Sequence, residues 1–177
     1  QDVSDAIHWV KLHSKEYKVD TTRIALIGES AGGHLVSWIG VTQPEAGLAV
    51  VVPFYAPHDL LGRAEKHGIN ENVQKLLGIG PEMNDQNREA LRNASPYYRV
   101  QKGLPQFLLI HGTADTQVPY DQSVNMQKKL KSAGVPCDLF TVQGGGHGMG
   151  SWDKIDTTWK NYLIQWLRQN MPTTKLP

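Results

Sequence analysis

The chain has 177 residues, 40% hydrophobic and 20% charged, which is ordinary usage for one globular domain. Lys and Arg number 18 against 17 Asp and Glu, and a net charge of +1 leaves no field with which to hold nucleic acid or another polyanion. The lone Cys137 excludes an intrachain disulfide and a cysteine zinc site, and no apolar run reaches the ~20 residues that span a bilayer, so neither a metal nor a membrane partner is expected.

In chain order, Asp5 to Tyr17 sets Ala6, Trp9, Val10 and Leu12 or His13 at helical spacing and predicts a helix before a Val19-Asp20 turn. Arg23 to Gly28 is a short apolar run between turn residues, as expected of a strand buried on both faces of a parallel sheet. Ala31 to Thr42 predicts a helix with Leu35, Trp38 and Ile39 on one face. Leu48 to Phe54, Gln106 to Ile110 and Cys137 to Val142 have the same buried-strand character, and Asp121 to Ser132 and Lys154 to Gln169 read as helices. This alternation predicts an α/β fold, a parallel sheet covered by helices on both faces. Ala56 to Gly103 breaks the rhythm with many polar residues, three prolines and one weak amphipathic segment at Val73 to Leu77, and reads as an insertion over one end of the sheet.

Gly28-Glu29-Ser30-Ala31-Gly32 fits G-x-S-x-G where a strand ends and a helix begins, the context that gives this motif meaning. A serine on so tight a turn stands above the sheet, and Gly28 and Gly32 beside it leave room for almost no side chain. The helix that follows directs free N–H groups, Ala31 first, at a developing oxyanion. An ordinary Gly-Ser-Gly turn is the plainer reading, and the strand-to-helix context weighs against it.

A serine nucleophile needs a base and an orienting carboxylate downstream, in the order serine, acid, histidine. Of the seven histidines, His8 and His13 read as helix surface, His34 as packing and His111 as a strand end held by hydrogen bonds. His58 and His67 fall in the insertion, with His58 and Asp59 expected as substrate contacts. His147 stands apart in Gly144-Gly-Gly-His-Gly148, a flexible loop between the last strand and the last helix. Asp59 and Asp115 both follow strands. Asp115 is the better acid, because its turn comes immediately before the final strand and the His147 loop, whereas Asp59 reads equally as a helix cap. Glu29 reads as a hydrogen-bonding partner rather than a base. Ser30, Asp115 and His147 are therefore the expected triad.

These residues, with Phe54-Tyr-Ala-Pro-His-Asp-Leu60, Ala94-Ser-Pro96 and the Leu109 to Pro119 block, resemble the α/β-hydrolase superfamily of esterases and lipases. The nearest likeness is to its acetyl-xylan and feruloyl esterase-like (BD-FAE-like) group. The resemblance implies hydrolysis of a carboxylic ester through an acyl-enzyme, without metal or organic cofactor, on short-acyl esters such as acetylated carbohydrate. It leaves the compartment open, a secreted or periplasmic site being in keeping with it. Upstream the sequence departs from the pattern: several strands and a His-Gly-Gly-type oxyanion loop precede the elbow in such proteins, and here Ser30 follows one helix. Residues 1–177 are thus expected to be the C-terminal catalytic part of one domain lacking its N-terminal strands, a poor enzyme alone with an apolar strand edge exposed. A prolyl-oligopeptidase-type peptidase and a catalytically silent binding module are the competing readings.

Overall fold

The computed structural model describes residues 1–171. Four strands, β1 (Ala25–Glu29), β2 (Val50–Phe54), β3 (Gln106–Gly112) and β4 (Cys137–Val142), form one sheet in the order β1-β2-β3-β4. Every neighbouring pair is parallel. Eight helices surround or extend the sheet among the described residues: α1 (Asp2–Leu12), α2 (Ser14–Tyr17), α3 (Ala31–Thr42), α4 (Leu60–His67), α5 (Glu71–Leu77), α6 (Asp85–Asn93), α7 (Asp121–Ser132) and α8 (Trp159–Asn170).

Strand alternation divides the core into two layers. Val51, Phe107 and Leu109 point into one, with Val36 and Val41 of α3 and Met126 and Leu130 of α7. Val50, Val52, Leu108 and Ile110 point into the other, with Trp159 and Trp166 of α8. The approach of α3 depends on Gly40, where a Cβ would lie 2.8 Å from Val51 Cγ2 and 2.9 Å from Phe107 Cζ. Cys137 closes the first layer, and burial pushes its thiol up to about 12.

Several elements differ from expectation for identifiable reasons. β2 is fully buried, but among the described residues β1 and β4 are each paired on one side only, Ile27 stays 48% exposed and the middle of β4 is only partly buried, so two-faced burial holds for β2 and β3 and not for β1 or β4. The first helix breaks at His13, and only Ile7 of α1 is buried; Trp9 instead stacks on His13 with centroids 4.3 Å apart. The last helix starts later than expected, after a 3-10 turn at Met149–Lys154.

The polar stretch between β2 and β3 holds three helices rather than one weak segment. Each is capped by an Asx side chain: Asp59, Asn70 and Asn84 accept from Gly62, Asn72 and Asn87 N–H. Their apolar residues are few but converge, with Leu60, Leu61, Ala64, Ile69 and Leu91 forming a separate cluster.

Candidate active site

The strand ends that carry the candidate residues meet at the carboxyl edge of the sheet, where parallel α/β folds place their ligand sites. β1 runs into Ser30, whose φ of 50° and ψ of −117° lie outside the regions L-residues favour, before α3 begins at Ala31. This turn has a steric requirement at Gly28, because a Cβ there would run into the Gly32 carbonyl. Gly33 is equally constrained, with Ala56 Cβ at 2.7 Å and the Phe54 carbonyl at 2.9 Å from an added Cβ. Gly32 is not: nothing lies within 4 Å of the Cβ it lacks. The second crowded glycine of the elbow is therefore Gly33, and Gly32 contributes the backbone carbonyl against which Gly28 packs. The Ser30 N–H donates to Phe54 O at 3.0 Å, which ties the elbow to β2.

The turn after β3 and the His147 loop after β4 are joined by hydrogen bonds. Ala114 N–H donates to Gly145 O at 2.9 Å, and Gly144 N–H donates to Thr113 Oγ1 at 2.8 Å. A Cβ at Gly112 would strike the Gly145 carbonyl, so both glycines belong to this approach. The two loops bring Asp115 to His147, with His147 Nδ1 donating to Asp115 Oδ2 at 2.8 Å. The carboxylate can only accept, which leaves Nε2 as the acceptor for the Ser30 hydroxyl, 2.9 Å away. Asp115 Oδ1 accepts from Gln117 and Val118 N–H at 2.9 and 2.8 Å, so the whole carboxylate is held. Ser30, Asp115 and His147 thus form one continuous hydrogen-bonded chain.

A cavity of about 520 Å³ opens beside this chain. Ser30, Ala31, His34 and His147 line one part of it, and Leu60 and Arg63 of α4 and Val73 and Leu76 of α5 another. Ala31 opens α3, so its N–H is among those with no acceptor inside the helix. His34 donates from Nε2 to Ala94 O at 2.8 Å, and burial pushes its pKa down. His111 is held behind Asp115: its Nδ1 accepts from the Ser123 hydroxyl at 2.7 Å, and its Nε2 donates to Val118 O at 2.9 Å. Burial lowers its pKa as well.

Two expected substrate contacts are corrected. His58 is fully buried and absent from the cavity lining, and both ring nitrogens lack a hydrogen-bond partner among the described residues. Burial, then the neighbouring His111 and His34, push its pKa down to about 3. Asp59 is a helix cap, with Oδ1 on Gly62 N–H at 2.8 Å and Oδ2 3.5 Å from the Tyr98 hydroxyl. Sequence reasoning overlooked Tyr55. It is buried, its hydroxyl donates to Glu29 Oε2, and its ring lies 4.8 Å from the His147 ring. An aromatic next to a strand end was the signal available, and it points as readily to core packing.

The BD-FAE family model matches residues 1–130. The chain belongs to the BD-FAE family. This BD-FAE chain is 29% identical over 171 residues to "Esterase LipC" of Mycobacterium tuberculosis, an alignment spanning 88% of the chain and 42% of LipC. Among solved structures it is similar to a truncated carbohydrate esterase from gut microbiota, with a TM-score of 0.82 and 27% identity over 96% of this chain and 67% of that one. It is also similar to an acetyl ester-xyloside bifunctional hydrolase from Caldicellulosiruptor lactoaceticus, with a TM-score of 0.80 and 26% identity over 95% of this chain and 64% of that one. The fold of this BD-FAE chain is that of the α/β-hydrolase esterases, and the chain spans less than half of LipC.

Proposed function

We propose that this BD-FAE chain carries the catalytic part of a serine carboxylic-ester hydrolase that works through an acyl-enzyme on short-acyl esters such as acetylated carbohydrate. The carrying observation is the unbroken path from Asp115 through His147 to the Ser30 hydroxyl, with bonds of 2.8 and 2.9 Å, beside a 520 Å³ cavity. Ser30 attacks the acyl carbonyl while His147 Nε2 takes its proton, and the oxyanion that forms is met by the Ala31 N–H. Asp115 keeps the imidazole in the right tautomer and stabilises the imidazolium. His147 then protonates the departing alcohol, and water reverses the sequence to release the acid. The carbohydrate reading draws support from the names of the two similar structures, a carbohydrate esterase and an acetyl ester-xyloside hydrolase.

The test is turnover of p-nitrophenyl acetate and of acetylated xylan by the full-length protein and its Ser30→Ala variant, with thermal melts alongside. Ser30→Ala is expected to abolish turnover of both and to melt like the parent, since the hydroxyl bears no packing. A variant with full activity would overturn the nucleophile assignment. Cleavage of a peptidyl anilide in preference to either ester would move the protein to the peptidase reading.

A further inference from the structure

His147 is held at Nδ1 and Nε2, two atoms in the plane of its ring. Neither bond stops the ring from rocking about the line that joins them. The loop that carries it, Gly144-Gly145-Gly146, has no side chain with which to do so. Tyr55 supplies the missing restraint. Its ring meets the imidazole at 4.8 Å with an interplanar angle of 63°. It also packs edge-on against Trp152 at 5.3 Å, and the Trp152 indole N–H donates to Gly146 O at 2.9 Å. The same aromatic pair therefore touches the His147 ring and ties down its loop.

The Tyr55 backbone is itself unusual. Its φ is 35°, in a region that bulky residues avoid, and such conformations persist where the surroundings over-determine them. The surroundings here are specific. Tyr55 N–H donates to Ile110 O at 2.8 Å, and the preceding carbonyl, Phe54 O, receives the Ser30 N–H. The phenol hydroxyl donates to Glu29 Oε2, and Glu29 is the residue covalently joined to Ser30. A closed circuit results, from Ser30 to Glu29, across to Tyr55, onto His147 and back to the Ser30 hydroxyl.

We propose that Tyr55, anchored by Glu29, is a positioning residue that sets the tilt of His147 relative to Ser30, so that the x of G-x-S-x-G works in this protein through a tyrosine. The proposal rests on the reading of Ser30 and His147 as nucleophile and base. Base and nucleophile must stay near 3 Å apart while a proton passes, and small misplacements in such a pair lower the rate of chemistry more than binding. Because Glu29 is an exposed side chain, its role is separable from core packing.

The experiment compares Tyr55→Phe, Glu29→Ala, Glu29→Gln and the Tyr55→Phe/Glu29→Ala pair in the full-length protein, with kcat and KM for p-nitrophenyl acetate measured separately and thermal melts recorded. Tyr55→Phe and Glu29→Ala are each expected to lower kcat about tenfold with KM little changed, a loss expected of a slightly misplaced base. The pair should lose no more than Tyr55→Phe alone, because the bond that Glu29→Ala removes is already absent in that variant. Glu29→Gln, which can still accept from the phenol, should recover most of the loss. Wild-type kcat in Tyr55→Phe and Glu29→Ala, a loss confined to KM, or multiplied losses in the pair would overturn the proposal. If Tyr55→Phe does not fold, Glu29→Ala and Glu29→Gln decide the matter alone. Ser30→Ala run in parallel separates the two levels. An active Ser30→Ala refutes the underlying reading, whereas a dead Ser30→Ala beside a fully active Tyr55→Phe refutes the positioning role only.

Discussion

Asp115 and Asp59 each follow a strand and each accept backbone N–H bonds, yet Asp115 alone also meets His147. Asp115→Asn is expected to lower kcat on the order of 10⁴-fold, because the amide favours the wrong imidazole tautomer. Asp59→Asn should keep its activity, since Asn caps as well as Asp, while Asp59→Ala should cost about 1 kcal/mol of stability. Steady-state kinetics and melts on the three variants check this, and a dead Asp59→Asn beside an active Asp115→Asn would invert the assignment. His58 is a second residue-scale case. Its folded pKa of about 3 lies below the ordinary 6.5, so the unfolded chain binds more protons between those values. Stability from this group is therefore complete above pH 6.5 and falls as pH drops toward 3. His58→Leu removes two unpartnered ring nitrogens and should flatten the dependence of Tm on pH across that window, with a higher Tm than the parent at pH 5. Melts from pH 4 to 8 give the comparison, and an unchanged slope would show that other groups govern acid unfolding.

At the scale of elements, the site depends on how closely the turn after β3 approaches the His147 loop. Gly112→Ala forces a Cβ into the Gly145 carbonyl and should displace the loop, lowering kcat about 10²-fold. Gly144→Ala provides the contrast, because its φ of 75° disfavours alanine but nothing crowds the added Cβ. It should cost roughly 1–2 kcal/mol of stability and largely spare kcat. Equal effects of the two substitutions on kcat would mean that loop conformation, rather than backbone approach, holds His147. The helices α4 to α6 belong to this scale too. Of their Asx caps only Asp59 is read as one from the sequence, and periodicity marks only α5, at Val73 to Leu77, because the inward faces of α4 and α6 carry few apolar residues.

Across the whole molecule, β1, β3 and β4 each deliver one member of the hydrogen-bonded chain to the same sheet edge, and α4 and α5 form the opposite wall of the cavity. That wall presents Arg63, Asn70 and Asn72 along with Leu60, Val73 and Leu76. A long acyl tail would lay methylenes against these polar groups and gain less than the ~0.8 kcal/mol that each buried methylene can contribute. Acetate and butyrate esters are expected to exceed decanoate in kcat/KM. A clear preference for decanoate would show that Leu60, Val73 and Leu76 govern the wall instead.

The sequence by itself determined the parallel α/β order and singled out Ser30, Asp115 and His147, because each rests on a local signal. Apolar runs mark the strands, and glycines mark the turns where backbone must pass close to backbone. Tertiary structure decided what depends on distant partners. Glu29 and Phe54 are aligned by the parallel register of β1 and β2, and this brings Tyr55 to the Glu29 carboxylate across 26 positions of chain. His58, polar and in a polar stretch, reads as a substrate contact, yet packing buries it completely. Gly32 and Gly33 are alike as letters, and only the approach of Ala56 and Phe54 shows which of them has no room for a side chain.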